Sequence, residues 1–149
     1  MRIVDLEAGH HAEVRALILR GLADHWDSVD ERLNPDLDDL SAAYPGGRTI
    51  VVFDDHGSAI GTGTVVPRDE GTVEIVRMSV DTNRRRGGIG RAIVEELVAT
   101  ARRWGADRVV LETTSAWTEV VDFYRSCGFS ITHTAPSPFG EDTWFERRI

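Results

Sequence analysis

The residue types best suited to chemistry stand together as Arg84-Arg85-Arg86-Gly87-Gly88-Ile89-Gly90-Arg91. They follow a segment that reads as a strand and open one that reads as a helix. The first turn of a helix carries backbone N–H groups with no internal partner, and the helix dipole adds positive potential there. Glycines let the backbone approach a ligand closely, and the arginines add charge. The combination predicts a nest for a phosphate or pyrophosphate. It is not a Walker loop, because lysine and hydroxyl are missing. Nor is it the dinucleotide G-x-G-x-x-G, since Gly88-Ile89-Gly90 runs on into Arg91-Ala92-Ile93. The bland alternative is a glycine-rich strand–helix turn with solvated arginines.

The elements that must position this nest follow from hydrophobic period. Residues 3–6 read as a strand. From Ala12 a helical stripe runs through Val14, Leu17, Ile18, Gly21, Leu22 and His25. A short helix is predicted near 36–43. Residues 49–53 and 59–66 form a hairpin around Asp54-Asp55-His56-Gly57, and residues 72–80 add a third strand. The helix over 88–103 carries Ile89, Ile93, Leu97 and Val98 on one side, and Gly105 sits where a C-terminal glycine belongs. Residues 108–112 are a short apolar strand. Thr114 or Ser115 can cap a helix bearing Trp117, Val120, Val121 and Tyr124, which Gly128 ends. Strands at 129–133 and 143–148 close the chain. The predicted fold is α/β, a mixed central sheet flanked by helices in the order β-α-α-β-β-β-α-β-α-β-β.

A length of 149 residues fits a single domain, 1–149, large enough to bury a core. No apolar run reaches the ~18 residues of a membrane helix, and Met1-Arg2-Ile3-Val4-Asp5 does not read as a signal peptide. The single cysteine, Cys127, cannot form an internal disulfide and suits a reducing, cytoplasmic setting. It reads as a packed helix-end residue rather than a nucleophile. The five histidines lack metal-ligand spacing, so no metal is expected, and His10-His11 read as a solvated helix start. All 17 basic residues are arginine, which excludes Schiff-base and lysine-base chemistry. They face 25 acids, for a net charge of −8. Residues 1–70 hold 14 acids and 6 arginines, and residues 71–149 hold 11 of each. The excess negative charge thus lies in the first half. A chain of this sign is poorly suited to nucleic acid and favours cationic partners, or it serves solubility alone.

Three motifs in order now resemble a known family. Arg85-Arg86-Gly87-Gly88-Ile89-Gly90 fits the [Gln/Arg]-x-x-Gly-x-[Gly/Ala] signature of the GNAT superfamily of N-acetyltransferases. Glu74-Ile75-Val76-Arg77-Met78-Ser79-Val80 looks like its central strand, and Phe123-Tyr124-Arg125-Ser126-Cys127-Gly128-Phe129 like its Tyr-x-x-x-Gly-Phe element. The resemblance covers residues 74–129 and implies acetyl-CoA as acyl donor, its pyrophosphate on the nest formed by Arg85, Arg86, Gly87, Gly88, Ile89, Gly90 and Arg91.

The resemblance also implies roles. An amine attacks the thioester directly and must first be neutral, so a base or a water relay is needed. Glu74 matches the base position. It shares strand parity with Val76, Met78 and Val80, an apolar face on which burial would raise a carboxyl pKa. The alternative is an ordinary acid or an arginine partner. The Met78 N–H is the implied oxyanion donor. The Met78-Ser79-Val80 backbone would run along the pantetheine arm, and family members often free these groups with a bulge. Tyr124 matches the donor that protonates the departing thiolate; the alternative is a core aromatic. Trp117 stands where relatives often carry a CoA-contacting asparagine, and would pack on pantetheine or acceptor, or lie in the core.

His25, Trp26, Asp27 and Glu31 fall between the first helices, where the family forms its acceptor site, and are the candidate substrate-binding residues; a solvated acidic loop is the alternative. The expected function is acetyl transfer to a primary amine, a cationic small molecule or peptide amine, with no nucleic-acid or membrane partner. A homodimer is an assembly the resemblance allows. A non-catalytic acyl-CoA-binding regulatory module is the runner-up.

Overall fold

Valine, isoleucine and threonine, whose branched side chains suit a pleated surface, dominate the segments that pair in this computed structural model. It describes residues 1–24, 34–85, 87–138 and 140–149. Seven strands form one sheet: β1 (Arg2–Asp5), β2 (Arg48–Phe53), β3 (Ala59–Pro67), β4 (Thr72–Val80), β5 (Arg108–Thr114), β6 (Ser130–Ser137) and β7 (Gly140–Arg148). Their spatial order is β1-β2-β3-β4-β5-β7-β6. Only β4 and β5 run parallel; the other neighbours are antiparallel. The predicted order of elements holds. The last three strands run longer than the apolar patterns at 108–112, 129–133 and 143–148 suggest, because ladder pairing carries β5 on to Thr114 and joins the polar ends of β6 and β7, Ser137 to Gly140.

Among the described residues four α-helices cover the sheet: α1 (His11–Ala23), α2 (Leu40–Ala43), α3 (Ile89–Arg103) and α4 (Thr118–Ser126). The segment expected as one helix near 36–43 is a 3-10 turn at Pro35–Asp38 followed by α2, whose Asp39 cap accepts from the Ala42 N–H. α3 buries Ile93, Val94, Leu97, Val98 and Ala101 against the Ile50, Val52, Val73 and Ile75 face. A fully buried side chain of this kind contributes about 1.5–3 kcal/mol. On the opposite face α1 packs Val14 and Ile18 with Leu37, Leu40, Val51 and Phe53. The two faces put α3 and α4 on one side and α1 and α2 on the other.

Two local readings change. α4 is capped at Trp117, with no side-chain cap bond, rather than at Thr114 or Ser115. The Ser115 hydroxyl instead bonds Thr143 Oγ1 at 2.7 Å, and Thr114 stays in the β5 ladder. The histidines at the helix start have partners: the His10 ring stands edge-on to Phe53, and His11 Nε2 accepts the Leu40 N–H. Among the described residues no helix is long and apolar enough to cross a membrane.

Candidate active site

Strand alternation on β4 breaks at one point. Thr64 of β3 is in register with Val76 and Thr62 with Ser79, so Gly63 faces both Arg77 and Met78. This is a β-bulge, and Arg77 sits in it with φ +53°. A non-glycine residue there carries a strain of roughly 1–2 kcal/mol, which persists where the surroundings enforce it. The bulge changes the parity read from the sequence. Met78 and Val80 pack with Ile75 on the α3 side, while Glu74 lies opposite them, on the α1 side with Val110. Glu74 therefore does not share a face with Met78 and Val80. An inserted residue switches every later side chain to the other face.

The neighbouring strand opens as well. β4 and β5 pair only over Thr72–Glu74 with Arg108–Val110. From Ile75 onward the β5-side edge of β4 has no strand partner among the described residues, and β5 pairs onward with β7 as far as Thr114. Arg77 and Met78 thus lie out of register with β3 and beside a gap toward β5. Ser79 directs its hydroxyl to Leu17 O on α1, so only its backbone is left for that gap.

The nest lies at the far end of β4. Gly88 caps α3 in the left-handed region, φ +80°, with no side-chain cap bond. A Cβ on Gly88 would meet nothing within 4 Å. The first N–H groups of α3, from Ile89 onward, have no partner inside the helix and suit an anion. The Ile89 side chain is buried in the core. Gly90 answers a different need, since a Cβ there would stand 2.9 Å from Phe123 Cζ. Gly87 would crowd only Arg84 O, at 3.3 Å. The arginines are less free than the sequence suggests. Arg84 pairs with Asp54, Arg85 with Asp24 and the Val80 carbonyl, and Arg91 with Ser126. Arg86 lies outside the described residues. The open cap and the backbone donors fit a CoA pyrophosphate.

Tyr124 projects from α4 into the α3-side core, 7% exposed, its ring against Phe123, Phe129 and Phe145. Burial pushes its hydroxyl well above the ordinary tyrosine value, so the hydroxyl keeps its proton. Trp117 is half-buried at the α4 cap. Cys127 is buried at the end of α4, and burial raises its thiol.

The α1-side face beyond the helices carries a group that the sequence did not single out. Glu74 is 8% exposed, and Arg68 Nε donates to its Oε1 at 2.8 Å. On β5, Glu112 is an exposed residue whose carboxyl is nonetheless pushed up to about 7, by loss of hydration, by hydrogen bonding with Asp142 of β7 and by the Asp142 and Glu74 charges. Thr114 pairs with Asp142 in the β5–β7 ladder, and that pairing joins two acids far apart in the chain. Strand parity with Glu74 was the only signal available. A cavity of about 460 Å³ adjoins, lined by Arg68, Glu74, Arg108, Val110, His133 and Trp144, with the His133 and Trp144 rings stacked. His25, Trp26, Asp27 and Glu31 lie outside the described residues. Among the described residues no three His, Cys, Asp or Glu side chains gather to hold a metal.

An opened parallel pair, a bulged strand beside it and a glycine turn at a helix start define the GNAT class of α/β fold. The sequence model of the Acetyltransferase (GNAT) family matches residues 14–129, and the chain belongs to this family. N-acetyltransferase 8B of Homo sapiens is 30% identical over 111 residues, covering 70% of this chain and 49% of the human protein. The chain thus spans about half the length of that curated relative. A GNAT-family acetyltransferase from Staphylococcus aureus Mu50 superposes with TM-score 0.88 at 20% identity, over 99% of this chain and 98% of that one. An aminoglycoside 6'-N-acetyltransferase solved with coenzyme A gives 0.77 at 16% identity, over 99% and 97%. At these identities the structures share the fold.

Proposed function

We propose that residues 1–149 form one GNAT domain that transfers the acetyl group of acetyl-CoA to a primary amine by direct attack. The observation that carries this reading is the bulged Arg77–Met78 stretch, beside the β4–β5 gap and between the α3 nest and the Glu74 carboxylate. Acetyl-CoA supplies the activated acyl group. The N–H groups of α3 after Gly88 hold its pyrophosphate, with Arg85, Arg86 and Arg91 close by in sequence, and the Met78-Ser79-Val80 backbone runs along its pantetheine arm. The Met78 N–H donates to the oxygen on which negative charge develops. Trp117 at the α4 cap borders the arm, and the Tyr124 hydroxyl returns a proton to the departing thiolate.

Glu74 takes the proton from the attacking amine. Glu112 is the second reading for this step, because its carboxyl titrates near 7, where a general base works best. The carboxyls of Glu74, Glu112 and Asp142 on the α1-side face support a cationic acceptor; His25, Trp26, Asp27 and Glu31, outside the described residues, remain its candidate binding residues from the sequence. A single buried thiol needs no oxidising compartment, which suits the cytoplasm.

The test is thiol release from acetyl-CoA with a panel of amines, with acceptor-free hydrolysis as the blank. Amine-dependent release is expected. Tight acetyl-CoA binding with no amine-dependent release would favour the regulatory module instead.

A further inference from the structure

An unbroken alternation on β4 would place Arg77 with Val73 and Ile75, in the apolar core under α3, and Met78 with Glu74 on the α1 side. The bulge exchanges them. Met78 takes the core position, where a Cβ on Gly63 would stand 3.2 Å from its Cγ. Arg77 turns to the α1 side. There its guanidinium meets Asp36 in a fork, Nε to Oδ2 and Nη2 to Oδ1, both at 2.6 Å, and Nη2 also reaches Asn34 Oδ1 at 2.9 Å. Tyr44 OH donates to the same Asp36 Oδ2 at 2.6 Å. The pair is largely shielded, with side-chain exposures of 20% and 16%. Burial acts to raise the Asp36 carboxyl, but the Arg77 and Tyr44 hydrogen bonds outweigh it and hold it below its ordinary value. A planar guanidinium bound bidentately by a carboxylate fixes orientation as well as distance.

We propose that Asp36 and Arg77 are positioning residues: their buried fork holds the β4 bulge and so aims the Met78 N–H into the β4–β5 gap. The inference rests on the reading of Met78 as oxyanion donor. It assigns to the turn after α1 a part in the geometry of the reacting carbonyl. Asn34 at the start of that turn and Tyr44 just after α2 brace the fork. An amide donor displaced from a developing oxyanion loses most of its effect, because the stabilisation depends on preorganised geometry.

The experiment compares Asp36→Ala, Arg77→Ala and Arg77→Gly. Glycine takes a positive φ without strain, so Arg77→Gly leaves the bulge able to form without its clamp, whereas Arg77→Ala removes the clamp and keeps the strain. With acetyl-CoA and amine saturating, kcat should fall by about 10- to 100-fold in Asp36→Ala and Arg77→Ala, the scale of a misdirected oxyanion donor. Acetyl-CoA affinity should change by less than about threefold, and Arg77→Gly should keep clearly more turnover than Arg77→Ala. An ion pair that only stabilises the fold would affect Arg77→Gly and Arg77→Ala alike.

Backbone coupling constants at residue 77 supply a readout independent of activity: positive φ in the parent chain, lost in Asp36→Ala and retained in Arg77→Gly. If Asp36→Ala fails to fold, Asp36→Asn, which keeps an acceptor oxygen but loses the charge, takes its place in both measurements. A positive φ that survives loss of the Asp36 carboxylate overturns the clamp, whatever the turnover. A chain that acetylates no amine, yet loses the positive φ without Asp36, overturns the acetyl-transfer reading and leaves the clamp standing.

Discussion

Gly90 lies under the edge of the Phe123 ring: a Cβ on Gly90 would stand 2.9 Å from Cζ, nearer than such contacts occur. Gly88, two residues earlier, has open space where its Cβ would be and a backbone only glycine adopts readily. One short motif thus holds a glycine beside open space and a packing glycine, and their variants should fail differently. Gly88→Val should weaken acetyl-CoA at least tenfold, ~1.4 kcal/mol. Gly90→Ala should chiefly lower the thermal midpoint, by about 2–4 °C for each kcal/mol lost in moving Phe123. Calorimetric titration and thermal melts of both variants check this; unchanged acetyl-CoA binding by a folded Gly88→Val variant would remove the nest from the site.

Glu74→Gln should lower kcat/KM by roughly 10²–10⁴-fold and flatten the acidic limb of the pH–rate profile. Glu112→Gln distinguishes the two carboxyls. If the limb near pH 7 disappears in that variant and survives in Glu74→Gln, the proton leaves through Glu112.

Glu112 also predicts a stability effect. Its folded value near 7 lies above its ordinary 4.5, so between those values the folded chain keeps a proton that the unfolded chain has lost. Stability therefore falls as pH rises through that interval and levels off above it. Glu112→Gln removes the loss, so the midpoint difference, variant minus parent, should be more positive at about pH 8 than at about pH 4. Thermal melts across that range measure it; a constant difference would show that the Glu112 proton is not linked to folding.

Tyr124→Phe should depress kcat by about 10²-fold or more, with little change in acetyl-CoA affinity, since a proton donor to the leaving thiolate acts in the transition state. The ring contacts with Phe129 and Phe145 survive the substitution, so the fold should hold. Full turnover in Tyr124→Phe would leave the residue a purely structural role.

For a cationic acceptor, kcat/KM should fall as salt rises while saturated turnover holds, because exposed charges are screened beyond ~8 Å at physiological ionic strength. Asp27→Asn and Glu31→Gln should raise KM for the amine and spare acetyl-CoA. A salt-independent kcat/KM, or a preference for neutral or anionic amines, would exclude electrostatic steering.

The residues of the nest, the apolar stripe of α3 and the order of the elements were legible in the sequence, because they depend on near neighbours: 3.6- and 2-residue periods, helix-end glycines and turn residues. The bulge was not, since Val76, Met78 and Val80 read as one apolar face with Glu74, and the partner that stabilises it, Asp36, is 41 residues away. The charge split was legible too, yet its meaning changed on folding. Asp24, Asp36 and Asp54 of the acidic half pair with Arg85, Arg77 and Arg84 of the balanced half, so the two halves interleave in space. The Glu112–Asp142 pair arises because β5 and β7 run side by side. Side-chain period is a local property that the chain carries residue by residue. Strand register and long-range ion pairs depend on how distant segments meet, and only the folded sheet decided them.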